Sequence, residues 1–118
     1  MKFELKRLEP VIITIQGKDY PAKLTHRAII ELEELTGMGH IEFLSKLEGA
    51  TTNIKDIQLL LYVSLKGGGV DVTLDDLLDH DFTISDNTKL LTALAEVIDR
   101  AIGIDDETDQ APKKKQKE

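Results

Sequence analysis

The chain has 118 residues, no cysteine and a formal net charge of −7, with 41% hydrophobic and 31% charged residues. This composition is typical of a globular protein, and the lack of cysteine excludes a disulfide framework, a thiol nucleophile and thiolate metal ligands. Because acids outnumber bases, binding of nucleic acid through the folded surface is disfavoured. No apolar run approaches the roughly 20 residues that span a bilayer, and the N-terminus lacks a signal-peptide core, so we expect a cytoplasmic protein without membrane contact.

The segment VIITIQGKDYPAKLT alternates apolar and polar residues on either side of Gly17. Alternation with a period of two, interrupted by a glycine, predicts a β-hairpin. The preceding segment KFELKRL alternates as well and could add a third strand. Because proline cannot donate a backbone hydrogen bond, Pro21 indicates that its strand lies at the edge of the sheet, where a strand from another chain could pair.

Beyond the hairpin the apolar period changes to that of a helix, and five helices are predicted. The first begins after the N-cap residue Thr25 and ends at Gly37, and a short second helix follows. The predicted apolar stripe of the first helix consists of Ile29, Leu32 and Leu35, and that of the second consists of Ile41, Leu44 and Leu47, with Phe43 beside it.

The third helix starts after Asn53, and apolar residues occupy nearly its whole circumference from Ile57 to Leu65, which predicts the central helix of the fold. Three consecutive glycines, Gly67 to Gly69, end this helix and predict a flexible joint. A last helix is predicted from about Asp86 to Ile102. Between them lies a brief fourth helix, capped by Thr73, whose predicted inward-facing residues are Leu74, Leu77 and Leu78.

Together these elements predict an α+β fold that is mainly α-helical, with an N-terminal β-hairpin or small antiparallel sheet followed by about five helices. Residues 1–104 form the predicted single globular domain. Residues 105–118 lack apolar periodicity and contain an acidic block before the basic run Lys113–Lys117, which predicts a disordered charged tail. The basic run could bind nucleic acid weakly, although the neighbouring acids offset it and a solubilising tail is the simpler interpretation.

The first helix carries its charges at the unfavourable ends. His26 and Arg27 fall in its first turn, while Glu33 and Glu34 fall in its last. The helix macrodipole favours the reverse order, and local rules are often broken at functional sites. We therefore predict that the exposed face with Arg27, Glu31 and Glu34 binds a partner that supplies compensating charges. The alternatives are compensation by neighbouring side chains inside the fold and, as a second binding surface, the edge of the hairpin.

The sequence carries no recognisable pattern for catalysis or metal binding. His26, His40 and His80 are far apart and form no HxH, HxxxH or HExxH pair. The three glycines are not followed by the lysine and hydroxyl residue of a phosphate-binding loop, and no serine lies in a GxSxG turn. We expect no catalytic residue, no cofactor and no metal site.

Three segments carry a resemblance to a known family: YPAKLTHRAIIELEELTGMGHIEFLSKLEG, IKDIQLLLYVSLKGG and VTLDDLLD. They contain a Leu-Thr-x-Arg helix start with a Glu-Glu-x-Thr-Gly close, then a Lys-Asp-Ile helix start, then a Thr-Leu-Asp helix start. In this order, and over residues 11–102, the chain resembles the tail assembly chaperones of long-tailed, siphovirus-type bacteriophages and prophages of Gram-positive bacteria. The family usually has an aromatic residue where this chain has His26.

The resemblance implies a non-enzymatic protein that acts in the cytoplasm of the bacterial host and is absent from the mature virion. Such chaperones bind the tape measure protein and recruit the major tail (tube) protein, and self-association is left open. The family commonly makes a longer product by ribosomal frameshifting, and the codons of Lys113, Lys114 and Lys115 form an adenine-rich run on which a ribosome could slip. The alternative is a small helical adaptor or regulatory protein of a mobile element.

Overall fold

The computed structural model describes residues 8–48 and 53–103. Its elements are β1 (Val11–Ile15), β2 (Lys18–Ala22), α1 (His26–Thr36), α2 (His40–Glu48), α3 (Ile54–Gly67), α4 (Leu74–Leu78) and α5 (Ile84–Ile102). The predicted fold class is confirmed, because a two-stranded antiparallel sheet precedes five helices in the described part of the chain. The third strand predicted in KFELKRL and the predicted tail at 105–118 fall almost entirely outside the described residues, and the domain boundaries stay a prediction.

The hairpin turns at Gln16 and Gly17, which both have positive φ, at 50° and 82°. Two consecutive residues in this conformation form the type I′ turn, whose twist matches that of the flanking strands. The turn fixes the register, which pairs Ile15 with Lys18 and, at the far end, Val11 with Ala22. As the period of two predicts, one face of the hairpin is buried in the core and the other is exposed.

Helix α3 lies at the centre of the described fold, as predicted. It packs against β2, α1, α4 and α5, and α5 also contacts β1. Because so many elements contact it, α3 is buried around most of its circumference from Asp56 to Leu65. The side chains with no exposed surface come from several elements and include Ala22, Phe43, Leu60, Leu61, Val63 and Leu94.

Two buried polar side chains of α3 find partners on other helices. Asp56 is 5% exposed, and its Oδ2 atom lies 3.0 Å from the Nζ atom of Lys46 on α2. Gln58 donates a hydrogen bond of 3.3 Å from Nε2 to Oδ1 of Asn87 on α5. Burial of a polar group is costly unless it is paired, so these contacts make the packing of α2 and α5 on α3 specific.

The predicted buried faces of the short helices were partly wrong. Ile41 is 71% exposed, Leu35 is 43% exposed and Leu78 is 50% exposed, whereas Phe43 has no exposed surface. Residues at spacings of three and four share a helix face, and the sequence of α2 offers two overlapping stripes of this kind. The packing selects the stripe centred on Phe43, which periodicity alone could not distinguish from the one that includes Ile41.

The interpretation of the glycine run as a flexible joint was wrong for Gly67 and Gly68. Gly67 is the last residue of α3 and Gly68 caps it. A Cβ atom on Gly67 would collide with the carbonyl oxygen of Lys23, and one on Gly68 with the carbonyl oxygen of Pro21. The two glycines therefore let the end of α3 lie directly against the backbone of β2 and of the residues that follow it.

Helix α5 begins at Ile84, two residues earlier than predicted, because Thr83 is its N-cap residue. The Thr83 hydroxyl accepts a hydrogen bond of 3.0 Å from the backbone N–H of Asp86, and the Asp86 carboxylate accepts one of 2.9 Å from the backbone N–H of Thr83. These bonds to Thr83 lower the pKa of Asp86 below its usual value. The reciprocal pair is a capping box and fixes the start of the helix.

Replacing Thr83 with alanine should lower the free energy of unfolding by about 1 kcal/mol, because an orphan N–H group at the start of α5 loses its acceptor. The measurement is urea denaturation followed by circular dichroism. The matched control is Thr88→Ala, since the exposed Thr88 hydroxyl only bonds back to the carbonyl of Ile84 in the preceding turn. Equal losses for the two variants would contradict the role of Thr83.

Candidate partner-binding site

Helix α1 presents four side chains on one exposed face. Arg27, Ile30, Glu31 and Glu34 are spaced at i, i+3, i+4 and i+7, which places them along one side of a helix. The opposite side of α1 is anchored by the buried Ala28 and Leu32. The helix ends are fixed as predicted: the hydroxyl of Thr25 accepts from the N–H of Ala28 at 3.1 Å, and Gly37 adopts the left-handed conformation.

This face of α1 forms one wall of a groove against α3, here named the α1–α3 groove. It has a volume of about 700 Å³. The lining residues are Thr25, Arg27, Ala28, Ile30, Glu31, Glu34, Val63, Lys66 and Gly67. The structure thus brings the three residues predicted from the sequence, Arg27, Glu31 and Glu34, into a single depression of the surface.

Lys66 lines the α3 side of the α1–α3 groove. Its Nζ atom donates to Oε2 of Glu31 at 3.2 Å and to the hydroxyl of Tyr62 at 3.2 Å. The hydrogen bond to the Tyr62 hydroxyl, and after it the one to the Glu31 carboxylate, raise the pKa of Lys66 above its usual value. A cation near the C-terminus of α3 also interacts favourably with the helix dipole. The charge of Glu31 is therefore balanced within the fold.

Glu33 lies outside the groove and is also compensated internally. Its Oε2 atom accepts a hydrogen bond of 3.0 Å from the backbone N–H of His40 and lies 2.8 Å from the Nδ1 atom of the same residue. The hydrogen bond with the His40 ring, followed by the one with its backbone, lowers the pKa of Glu33. The charge of Glu33 is unfavourable at the end of α1, but its carboxylate lies at the start of α2, where the helix dipole favours a negative charge.

Arg27 and Glu34 have no such compensation. Both are exposed, and neither side chain forms a hydrogen bond or an ion pair with any residue in 8–48 or 53–103. They lie two turns apart, about 10 Å along the helix axis. Ile30, which is 54% exposed, lies between them. The groove rim therefore offers an exposed apolar side chain between two unpaired charges of opposite sign.

Sequence reasoning missed Ile30, Tyr62 and Lys66 as residues of this surface. A signal was present for Tyr62 and Lys66, because they break the apolar circumference of α3 at a spacing of four residues and so share a face. Ile30 could have been noticed as an apolar residue next to the predicted stripe of α1. What the sequence does not contain is the contact between Lys66 and Glu31, which are 35 positions apart.

The histidines do not converge on a common site. His26 and His40 are exposed, and His80 packs edge-on against the ring of Phe82 with 4.5 Å between centroids. Within the described ranges, no group of three or more His, Cys, Asp or Glu side chains has the geometry to hold a metal ion. None of the helices in those ranges is long and apolar enough to cross a membrane.

Comparison with known protein families gives a match over most of the chain. The model of the family described as phage tail tube protein, GTA-gp10, matches residues 10–103, which is most of the chain and nearly all of its described part. Comparisons with curated proteins and with solved structures gave no significant match. The family match supports a role in the structure or assembly of phage tails and is consistent with interaction with tail proteins. The chain therefore belongs to the family of phage tail tube protein, GTA-gp10, and is a phage tail-related protein.

Proposed function

We propose that this protein is a tail assembly chaperone of a siphovirus-type phage or prophage of Gram-positive bacteria. It binds the tape measure protein, recruits the major tail (tube) protein in the host cytoplasm, performs no catalysis and is absent from the mature virion. Two lines of support are the membership in a phage tail family and the resemblance of residues 11–102 to such chaperones. The structural support is the α1–α3 groove. Its rim carries two charged side chains without a partner among the described residues, and exposed apolar surface between them.

The groove is suited to a segment that carries both apolar and charged side chains. Burial of Ile30 against a client contributes about 25 cal/mol for each Å² of apolar surface removed from water. Arg27 and Glu34 at the rim favour a client with an acid and a base at matching positions, and such rim charges govern specificity and association rate more than affinity. An amphipathic helix of the tape measure protein, laid along α1, supplies this pattern.

The direct test is co-expression with the tape measure protein encoded by the same phage. We expect the tape measure protein to remain soluble and to co-purify with this chain, because its apolar segments are covered. A tape measure protein that stays insoluble in the presence of both this chain and any longer frameshifted product would overturn the proposal.

A charge-reversal experiment locates the binding surface. The double variant Arg27→Glu, Glu34→Lys should reduce the co-purified client at least about tenfold, since like charges replace complementary ones across the contact. The melting temperature should not fall, because neither side chain has a described partner to lose and the reversal places an acid at the start of α1 and a base at its end, as the helix dipole favours. The matched control is Lys55→Glu, Asp99→Lys, which reverses two exposed charges on other helices. A comparable loss of thermal stability in the first variant would show instead that its charges are structural.

A second candidate function is a structural subunit of the tail tube, which the description of the matched family as phage tail tube protein favours. Purified virions separate the two functions, because a tube subunit is present in the particle in many copies and a chaperone is absent. Gene neighbourhood tests the adaptor alternative: a tail tube gene and a very long tape measure gene on either side of this one would leave that alternative without support.

Frameshifting is a further part of the proposal. The chaperone is proposed to exist also as a longer product, made when ribosomes slip on the codons of Lys113, Lys114 and Lys115. The test is the nucleotide sequence together with mass spectrometry of the expressed gene. Codons interrupted by guanines, with no extended product, would contradict it.

A further inference from the structure

The two edges of the hairpin differ, and within residues 8–48 and 53–103 nothing pairs with the outer edge of β1. Ile15 and Lys18 flank the two-residue turn, so they exchange backbone hydrogen bonds and the bonded pairs then alternate along the strands. The N–H and C=O groups of Ile12 and Thr14 consequently point away from β2. No hydrogen bond to either backbone is formed by the residues that the structure describes.

The outer edge of β2 is covered at its C-terminal end, at Pro21 and Lys23. Pro21 has no backbone N–H group that could donate to a further strand. The hairpin itself loses nothing by this, because the pair of Pro21 and Ile12 is one of those that exchange no backbone hydrogen bonds. The next outward-pointing donor, the N–H of Lys23, is bonded to the carbonyl oxygen of Ser64 at 3.0 Å. Gly68 packs against the carbonyl of Pro21. The end of α3 thus occupies the position that a further strand would need beside β2.

The open edge of β1 borders a groove of about 250 Å³ that is separate from the α1–α3 groove and is here named the β1–α5 groove. Its lining residues are Ile12, Ile13, Thr14, Ile15, Gln16, Phe82, Asp86, Lys89, Leu90 and Ala93. Four consecutive residues of β1 and the adjoining turn residue Gln16 line it, which shows that the groove runs along the strand. The wall formed by α5 combines apolar side chains with one acid, Asp86, and one base, Lys89.

We propose that β1 pairs with β1 of a second copy of this chain, antiparallel and about a two-fold axis at Ile13, so that the two hairpins form one four-stranded sheet. In this register Ile12 of each copy lies opposite Thr14 of the other. These are the residues whose backbone donors and acceptors point outward, so each such pair exchanges both of its hydrogen bonds.

The composition of the groove favours a second copy over an unrelated strand. A two-fold axis reverses the order of Asp86 and Lys89 along the groove. The Asp86 of one copy therefore lies toward the Lys89 of the other copy. The groove wall is therefore complementary in charge to itself. The side chain of Ile12, 56% exposed in the single chain, is partly covered by the neighbouring strand, and its burial adds to the backbone bonds.

Sedimentation velocity of the full-length chain over a range of concentrations tests the proposal. We expect a reversible dimer. Ile12→Lys places a charge on the edge strand, and Thr14→Pro removes an outward N–H that the hairpin does not use. Each should raise the dissociation constant at least about tenfold. The matched control is Ile84→Lys, because Ile84 is 81% exposed and does not line the groove.

Several outcomes would overturn the proposal: a chain that stays monomeric up to about 1 mM, a dimer that survives both edge variants, or equal disruption by Ile84→Lys. Should both edge variants unfold, amide hydrogen exchange in the unmodified chain decides. The amides of Ile12 and Thr14 should exchange at least about tenfold more slowly at high than at low protein concentration, and unchanged exchange refutes the pairing. No client is present in either experiment, so the result is independent of the chaperone proposal.

Discussion

Gly68→Ala should lower the free energy of unfolding by about 3 kcal/mol or more, as expected for overpacking against rigid backbone. Gly68 has φ −82° and ψ −4°, a conformation that alanine adopts freely, so the cost comes from space and not from backbone strain. The added Cβ atom would meet the carbonyl group of Pro21 and lie 3.0 Å from the backbone nitrogen of Ala22. Relief requires β2 to move away from α3, which breaks the hydrogen bond between Lys23 and Ser64.

Urea denaturation measures this effect, and Gly39→Ala provides the matched control. A Cβ atom on Gly39 would meet nothing within 4 Å, and its backbone is not left-handed. We expect a change of less than about 0.5 kcal/mol for the control. Gly67→Ala should resemble Gly68→Ala, because its Cβ atom would meet the carbonyl of Lys23. A Gly68→Ala variant as stable as the Gly39→Ala control would show that α3 and β2 are not in close contact in solution.

Phe43→Ala should cost about 3 to 5 kcal/mol, the range for deletion of a large buried aromatic side chain. Phe43 has no exposed surface and belongs to the main core cluster, although α2 itself lies at the periphery and contacts chiefly α1. Removal of the ring leaves a cavity where α2 meets the body of the protein. Thermal denaturation should show the loss as a lower midpoint. In the variant, the backbone amides of α2 should exchange their hydrogens faster than those of the other helices.

The control for this prediction lies in the same helix. Ile41 is 71% exposed, so Ile41→Ala removes little buried surface and introduces a better helix former. We expect its stability to stay within about 0.5 kcal/mol of the original chain. If Ile41→Ala were the more damaging variant, the stripe predicted from the sequence would be the buried one and the observed packing of α2 would be wrong.

The elements whose signals are local were predicted correctly. The caps Thr25, Asn53 and Thr73 each accept a hydrogen bond from the first turn of the helix that they precede, as their side chains and positions indicated. Gly17 and Gly37 adopt the positive φ that favours glycine. In these cases the residue and its consequence are only a few positions apart, so the sequence contains both.

Features that depend on distant neighbours could not be predicted. The glycines after α3 look like a joint in the sequence, and only the approach of β2, more than forty positions earlier, shows why side chains are absent there. The same holds for the candidate site. The helix dipole rule singled out His26, Arg27, Glu33 and Glu34, and Glu31 was added because it shares the exposed face of Arg27 and Glu34. Only the fold shows that Glu31 and Glu33 are balanced by Lys66 and His40.

The difference between the two sides of the hairpin bears on how the protein tolerates high concentration. An open-ended fibre grows only if each added molecule presents a new acceptor for the next, which requires two free flanks per molecule. In the described part of the chain, Pro21 and the end of α3 remove one of them. Strand pairing through this sheet is thus limited to finite complexes, because a molecule that has paired through β1 offers no second free edge to which another molecule could add.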